Sequence, residues 1–246
     1  MERIKKEKQQ INTLLNDIPA WVLTVFVAGC IGMNLLANKS IAIDSEWLAL
    51  DCGITVSWTA FFAMDIIVKR YGAKASIIIS VLALVINLSF SGIFWVASQL
   101  DGMWGESYAY ESPDIINTAL NNTFAGTWYI VFGSSVAFLL SAIVNSTLNE
   151  IIGKRLKKDN FIGFAFRSYV STFIGQFVDN FVFALIVSMN FFGWKLIQCV
   201  CCAMTGAVME LILEAVFSPI GYKITKQWDR NNIGYSYRLK YTDFLN

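Results

Sequence analysis

The chain has 246 residues, 56% of them hydrophobic and 15% charged, with a net charge of +1 and a mean hydropathy of +0.53. Soluble domains carry roughly 25% charged residues, so this composition excludes an ordinary soluble domain, a disordered chain and an electrostatic nucleic-acid surface. Histidine is absent, which removes Ser-His-Asp and Cys-His nucleophile pairs and His-ligated metal sites; the composition is that of an all-α, polytopic membrane protein.

The polar segment Met1–Asn16 reads as a helical arm that can rest on anionic lipid. A hydrocarbon core about 30 Å thick needs around 20 apolar helical residues. Six runs fit that ruler: Pro19–Ala37, Glu46–Val68, Ala75–Ser98, Gly126–Ile152, Phe161–Met189 and Trp194–Tyr222. The pattern divides the chain into a cytoplasmic arm (1–18), a six-helix transmembrane domain (19–222) and a cytoplasmic tail (223–246). Pro19 after Asp17 suits a cap followed by a first-turn proline. Val27-Ala28-Gly29-Cys30 looks like a lipoprotein cleavage box, but the apolar run continues through Ala37, so a spanning helix is expected instead.

Lys and Arg mark cytoplasmic connections. Arg3, Lys5, Lys6 and Lys8 precede the first span, Lys69, Arg70 and Lys74 follow the second, and Lys154, Arg155, Lys157 and Lys158 follow the fourth. The tail carries Lys223, Lys226, Arg230, Arg238 and Lys240, whereas the intervening connections hold only Lys39 and Lys195, and Leu100–Ala125 has neither Lys nor Arg. Every second connection is basic, which predicts both termini in the cytoplasm and a multi-pass protein of the cell membrane.

Polar groups within the spans are where function is sought, because a charge near the bilayer centre costs about 2.5–3.5 kcal/mol on insertion scales. In the fifth span Arg167, Ser171, Gly175 and Asp179 recur every four residues, with Ser168, Thr172 and Gln176 one step behind. At helical period they form one polar stripe. Two readings stand: packing glue with Arg167 snorkelling to the surface, or a solute pocket lined by Gln176 and Asp179. Other intramembrane polar groups are Asn34, Asp51, Asp65, Asn87, Asn145, Asn149, Glu210 and Glu214. Glu210 and Glu214, one turn apart, call for a partner such as Arg167 or for a retained proton.

Trp21, Trp47, Trp128, Tyr129, Trp194 and Tyr222 lie near span ends and suit an interfacial belt. Trp58 sits mid-span, either packing or offering a flat ring to a planar heterocycle. Cys30, Cys52, Cys199, Cys201 and Cys202 lie in apolar runs and read as small packing residues, with no metal and no cofactor expected.

Three stretches carry a family resemblance: NLLANK from Asn34 to Lys39, DIIVKRYG from Asp65 to Gly72, and RSYVSTFIGQFVD from Arg167 to Asp179. With the spacing of six spans, they make residues 20–225 resemble the vitamin uptake transporter family, also called the queuosine precursor transporter family. Many members have a proline ahead of the aspartate and a glutamate four residues after it; here the stretch is SWTAFFAMD and the later position is Lys69. The resemblance implies an importer for a small planar nitrogen heterocycle such as 7-cyano- or 7-aminomethyl-7-deazaguanine, with a vitamin or another nucleobase-like solute as the alternative.

On this reading Asn34, Trp58, Asn145, Gln176 and Asp179 are the candidate substrate-binding residues. Asp65, Arg167, Glu210 and Glu214 are candidates for gating or ion pairing. The partners are the solute and membrane lipid, with no nucleic acid, and the chain is a homo-oligomer or a compact monomer. No GxxxxGK[ST] loop occurs, so uptake is driven by a gradient, by metabolic trapping or by a separate energising partner. An intramembrane enzyme lacks its usual histidine and GxSxG turn here. A non-transporting structural or sensory subunit requires the polar groups to pair fully, leaving no cavity.

Overall fold

Backbone amides in hydrocarbon find no water, so spanning segments satisfy themselves as helices. The computed structural model describes residues 2–41, 50–100, 113–156 and 160–242. Trp47, Lys157, Lys158, the start of the second expected span and much of the 100–125 connection lie outside the described residues.

In chain order the elements are α1 (Glu2–Asp17), α2 (Ala20–Leu36), a two-residue pairing of β1 (Ser40–Ile41) with β2 (Leu50–Asp51), α3 (Ile54–Tyr71) and α4 (Ala73–Ala97). Then come α5 (Pro113–Leu156), α6 (Phe161–Phe183), a π-helical turn (Ala184–Ser188), α7 (Met189–Phe192), α8 (Leu196–Arg230) and α9 (Tyr235–Tyr241). This is an all-α polytopic membrane protein. Ala73–Ala97, Ile115–Leu156, Phe161–Ser188 and Leu196–Arg230 are each long and apolar enough to cross a membrane. The α1–α2 pair, bent by 104°, meets the same test together. α3 carries Asp65, Lys69 and Arg70 yet is mostly buried, which suits a helix surrounded by protein instead of lipid.

α3 packs against α2, α4, α5 and α8, while α5 lies along α6 and α4, and α6 along α8. The outward faces are apolar, with Val85, Ile93, Phe132 and Val216 all exposed. Beside an apolar core that includes Phe26, Phe61, Met64 and Phe138, the interior holds a polar cluster: Asp65, Asn145, Asn149, Gln176 and Glu214 are buried. α5 begins at Pro113, well ahead of the expected span at Gly126. Proline suits the first helical position, where its missing N–H costs nothing.

The connections alternate between two ends of the bundle. One end carries the β1–β2 pairing and the α7–α8 turn at Gly193 (φ 64°). The other carries Lys69, Arg70, Lys74, Lys154, Arg155 and the last turns of α8. At this basic end α1 and α9 are fastened to each other and to α3. Arg70, 3% exposed, donates to Asp229 and to the carbonyls of Trp228 and Ile233, the last at 2.5 Å. Tyr71 Oη donates to the Asp17 carbonyl at 2.8 Å, and Asp17 Oδ2 accepts from the Tyr237 amide at 2.5 Å. Gln10 Nε2 donates to Tyr237 Oη at 2.8 Å.

Arg70→Ala removes the donor to the Ile233 carbonyl and an ion-pair partner of Asp229, while the Trp228 carbonyl keeps the Ile233 N–H; the loss is about 1–3 kcal/mol, as for a hydrogen bond to a charged group. The expected outcome is a lower midpoint in thermal unfolding of the detergent-solubilised protein.

Candidate functional site

Close helix approach builds the polar interior. A Cβ on Gly175 of α6 would sit 2.8 Å from Asn145 Cβ on α5, and one on Gly206 of α8 would sit 2.7 Å from Asn180 Nδ2 on α6. Glycine at these positions lets the helices meet, as small-residue faces do in membranes. Gly153 likewise leaves room for Arg167, whose Nη1 would lie 2.6 Å from a Cβ there.

The deepest group is the Asp65 carboxylate, 0% exposed. Its Oδ1 accepts from Asn149 Nδ2 at 2.8 Å and Asn145 Nδ2 at 3.3 Å, both on α5. Its Oδ2 accepts from Ser168 and, at 3.1 Å, from Thr172 Oγ1, both on α6. Ser168 Oγ also lies 2.7 Å from Glu214 Oε1 on α8. Each helix presents its pair at i,i+4, the spacing that stacks side chains on one face. Asp65 is thereby bonded to four side chains, and charge-assisted bonds of this kind are the strong ones.

Toward the β1–β2 end the same helices part around a cavity of about 150 Å³. Asn34, Ser57, Ser134, Asp179, Asn180 and Glu210 give it polar lining, and Met33, Phe183 and Trp194 give it apolar wall. Glu210 Oε1 accepts from Ser57 Oγ at 2.7 Å, and Asn34 Oδ1 accepts from Ser134. Ala184 and Ser188 of the π turn also line it. Tyr129 Oη and Asn190 Nδ2 both donate to the Ile186 carbonyl of that turn at 2.8 Å.

The expected residues thus fall into two layers. Asn34, Asp179 and Glu210 line the cavity. Asp65, Asn145 and Glu214 form the deeper cluster, so Asn145 bonds to Asp65 and is not among the cavity's lining residues. Gln176 is 0% exposed, and neither atom of its amide has a hydrogen-bond partner among the described residues. It sits one turn of α6 from Asn180, in the upper layer, and one turn from Thr172, in the lower. Trp58 is away from both: its ring stacks on Phe217 at 4.0 Å, and its Nε1 donates to the Thr55 carbonyl at 3.0 Å. Arg167 lies over the Phe164 ring, 5.6 Å from its centroid, and its charge acts on Asp65. Ser57, Ser134 and Asn180 carry no signal in the sequence that marks them as lining. Trp194 suits an interfacial belt equally well, and only the three-dimensional packing shows it at the cavity.

Residues 51–224 match the sequence model of a family described as "putative vitamin uptake transporter". The chain belongs to this family. No curated protein and no solved structure matches it. The matched stretch runs from β2 into α8 and contains the whole Asp65 cluster, while Asn34 and Lys39 lie ahead of it. The chain is therefore a vitamin-uptake-type membrane transporter, and its polar interior belongs to that setting.

In the transporter, Gly175→Ala places a methyl group against Asn145 Cβ, which is anchored to its helix and cannot rotate away. α5 and α6 must separate, at a cost of about 1–3 kcal/mol typical of overpacking. A lower thermal midpoint in detergent is expected, and an unchanged midpoint would show that this contact does not hold the helices together.

Proposed function

We propose that the transporter imports a small, planar, nitrogen-rich solute across the cell membrane, and that the solute is a queuosine precursor, 7-cyano- or 7-aminomethyl-7-deazaguanine. The cavity chemistry carries this reading. The carboxamides of Asn34 and Asn180 offer donors and acceptors, and the carboxylates of Asp179 and Glu210 accept from ring N–H or amino groups. Phe183 and Trp194 supply flat apolar area. Trp194 takes the stacking role that the sequence suggests for Trp58, because Trp58 is already stacked on Phe217.

Orientation fits import. With the basic end of the bundle and both termini in the cytoplasm, the cavity lies at the outer end, where an importer meets its solute. Asp65 and Arg167, deeper toward the basic end, would then close the inner side. The family description supports a second reading with the same site, in which the solute is a vitamin.

The test is uptake of labelled 7-cyano-7-deazaguanine by cells unable to make it, with a thermal-shift screen of purines, deazapurines and vitamins on purified protein. Asp179→Ala is expected to cut uptake by about tenfold or more, the effect of losing a charged hydrogen-bond acceptor worth about 1.5–3 kcal/mol. Normal uptake in Asp179→Ala removes that residue from the site. Stabilisation by a vitamin and not by a deazapurine selects the second reading.

A further inference from the structure

Ser168 has one hydroxyl hydrogen, yet its Oγ is in hydrogen-bond contact with two carboxyl groups, those of Asp65 and Glu214. A single hydrogen serves only one of them. With both carboxyls ionised, one contact sets a hydroxyl lone pair against a negative oxygen in a site without bulk water. A hydrogen on one carboxyl resolves this: that acid donates to Ser168 Oγ, and Ser168 donates to the other.

The donor count says which is which. Asp65 accepts from Asn145, Asn149 and Thr172 in addition to Ser168, the surroundings of an ionised carboxylate. Glu214 is 1% exposed, and among the described residues nothing donates a hydrogen bond to its Oε2. Beside the pair, the fully buried amide of Gln176, without a partner among the described residues, lies one turn above Thr172, toward the cavity. Glu210, in the cavity wall, is one turn from Glu214 on α8.

Other ionisable groups on the packed helices include Lys69 of α3, Glu150 and Lys154 of α5, and Arg167, Tyr169 and Asp179 of α6, while Arg70, Tyr71, Arg155 and the Tyr222–Arg230 turns of α8 lie at the basic end. Lys69 Nζ lies 5.8 Å from the Phe164 centroid, Glu150 pairs with Lys154 at 2.6 Å, and Tyr169 Oη meets Ser218 Oγ at 2.8 Å. Asp179 lines the cavity, and Arg167 acts on Asp65.

We propose that Asp65, Ser168 and Glu214 form a proton-binding relay, loaded from the cavity by way of Glu210, that couples solute uptake to the proton gradient. On loading, an O–H bond breaks in a hydronium ion or in the Glu210 acid, and one forms on Glu214. On release toward the basic end, Glu214 returns to a carboxylate, and one positive charge has crossed with each neutral solute. The unloaded state sets two ionised carboxyls against one hydroxyl, which weakens the contact among α3, α6 and α8 and favours their rearrangement. The coupling rests on the import reading given above; the proton site does not.

The first experiment therefore needs no solute. Infrared spectra of the purified protein in lipid are expected to show the carbonyl stretch of a buried carboxylic acid at neutral pH. Glu214→Gln is expected to remove that band, and Ser168→Ala is expected to move it by deleting its hydrogen-bond acceptor. A wild-type spectrum without the band, or a band retained in Glu214→Gln, overturns the relay.

The second experiment measures labelled 7-cyano-7-deazaguanine in proteoliposomes. An alkaline-inside gradient is expected to drive accumulation of about tenfold per pH unit, from the 1.36 kcal/mol carried by one pH unit. Glu214→Gln is expected to lose accumulation while solute exchange stays measurable. Exchange without any gradient dependence in the wild type overturns the coupling. An infrared band without any exchange keeps the proton site and rejects the solute.

Discussion

The Asp65 carboxylate is the group on which the interior depends. A lone ion in hydrocarbon is expensive and demands a partner or a cavity, and here its surroundings are two i,i+4 pairs reaching in from different helices. Those bonds set the rotation and depth of α5 and α6 relative to α3, because sliding either helix by a residue would carry its pair off the carboxylate. Ser168 extends the same constraint to α8 through Glu214. Between apolar helices in lipid the hydrophobic effect gives little preference for one register over another. The acid and its donors supply that preference.

The two layers share helices and differ in what they satisfy. In the lower layer the polar groups bond chiefly to one another and hold the bundle. In the upper layer the helices diverge, and Asn34, Asp179, Asn180 and Glu210 surround space. Glu210 and Glu214 stand one above the other on α8, one in each layer. A structural or sensory subunit would have its polar groups matched in a closed bundle; the cavity of about 150 Å³ with four amide or acid residues in its wall does not fit that picture.

Much of this was legible in the residue pattern, for identifiable reasons. The α6 stripe repeats at helical period, so Ser168, Thr172 and Gln176 announce a common face without knowledge of any neighbour. Burial of Asp65, Glu210 and Glu214 follows from their placement in apolar runs. What the pattern does not hold is which helix each face meets. Asn145 and Asp65 are 80 residues apart, and nothing local assigns one to the other, so the bond between them is invisible in the sequence. The stacking of Trp58 on Phe217 of α8 is hidden for the same reason. Ser57 and Ser134 are silent because a lone hydroxyl is tolerated almost anywhere in a helix. The early start of α5 is hidden because the residues after Pro113, rich in Asn and Thr, are weak helix formers in isolation.

The π turn at Ala184–Ser188 has a geometric corollary. It holds a surplus residue relative to a regular helix, and at 3.6 residues per turn one residue is about 100° of rotation. Everything downstream, from Met189 through the bend at Gly193 to Trp194, is therefore aimed by chain length more than by side-chain identity. At this rim a single deletion would swing the indole out of the cavity wall, whereas many replacements of the same residues would leave its heading untouched.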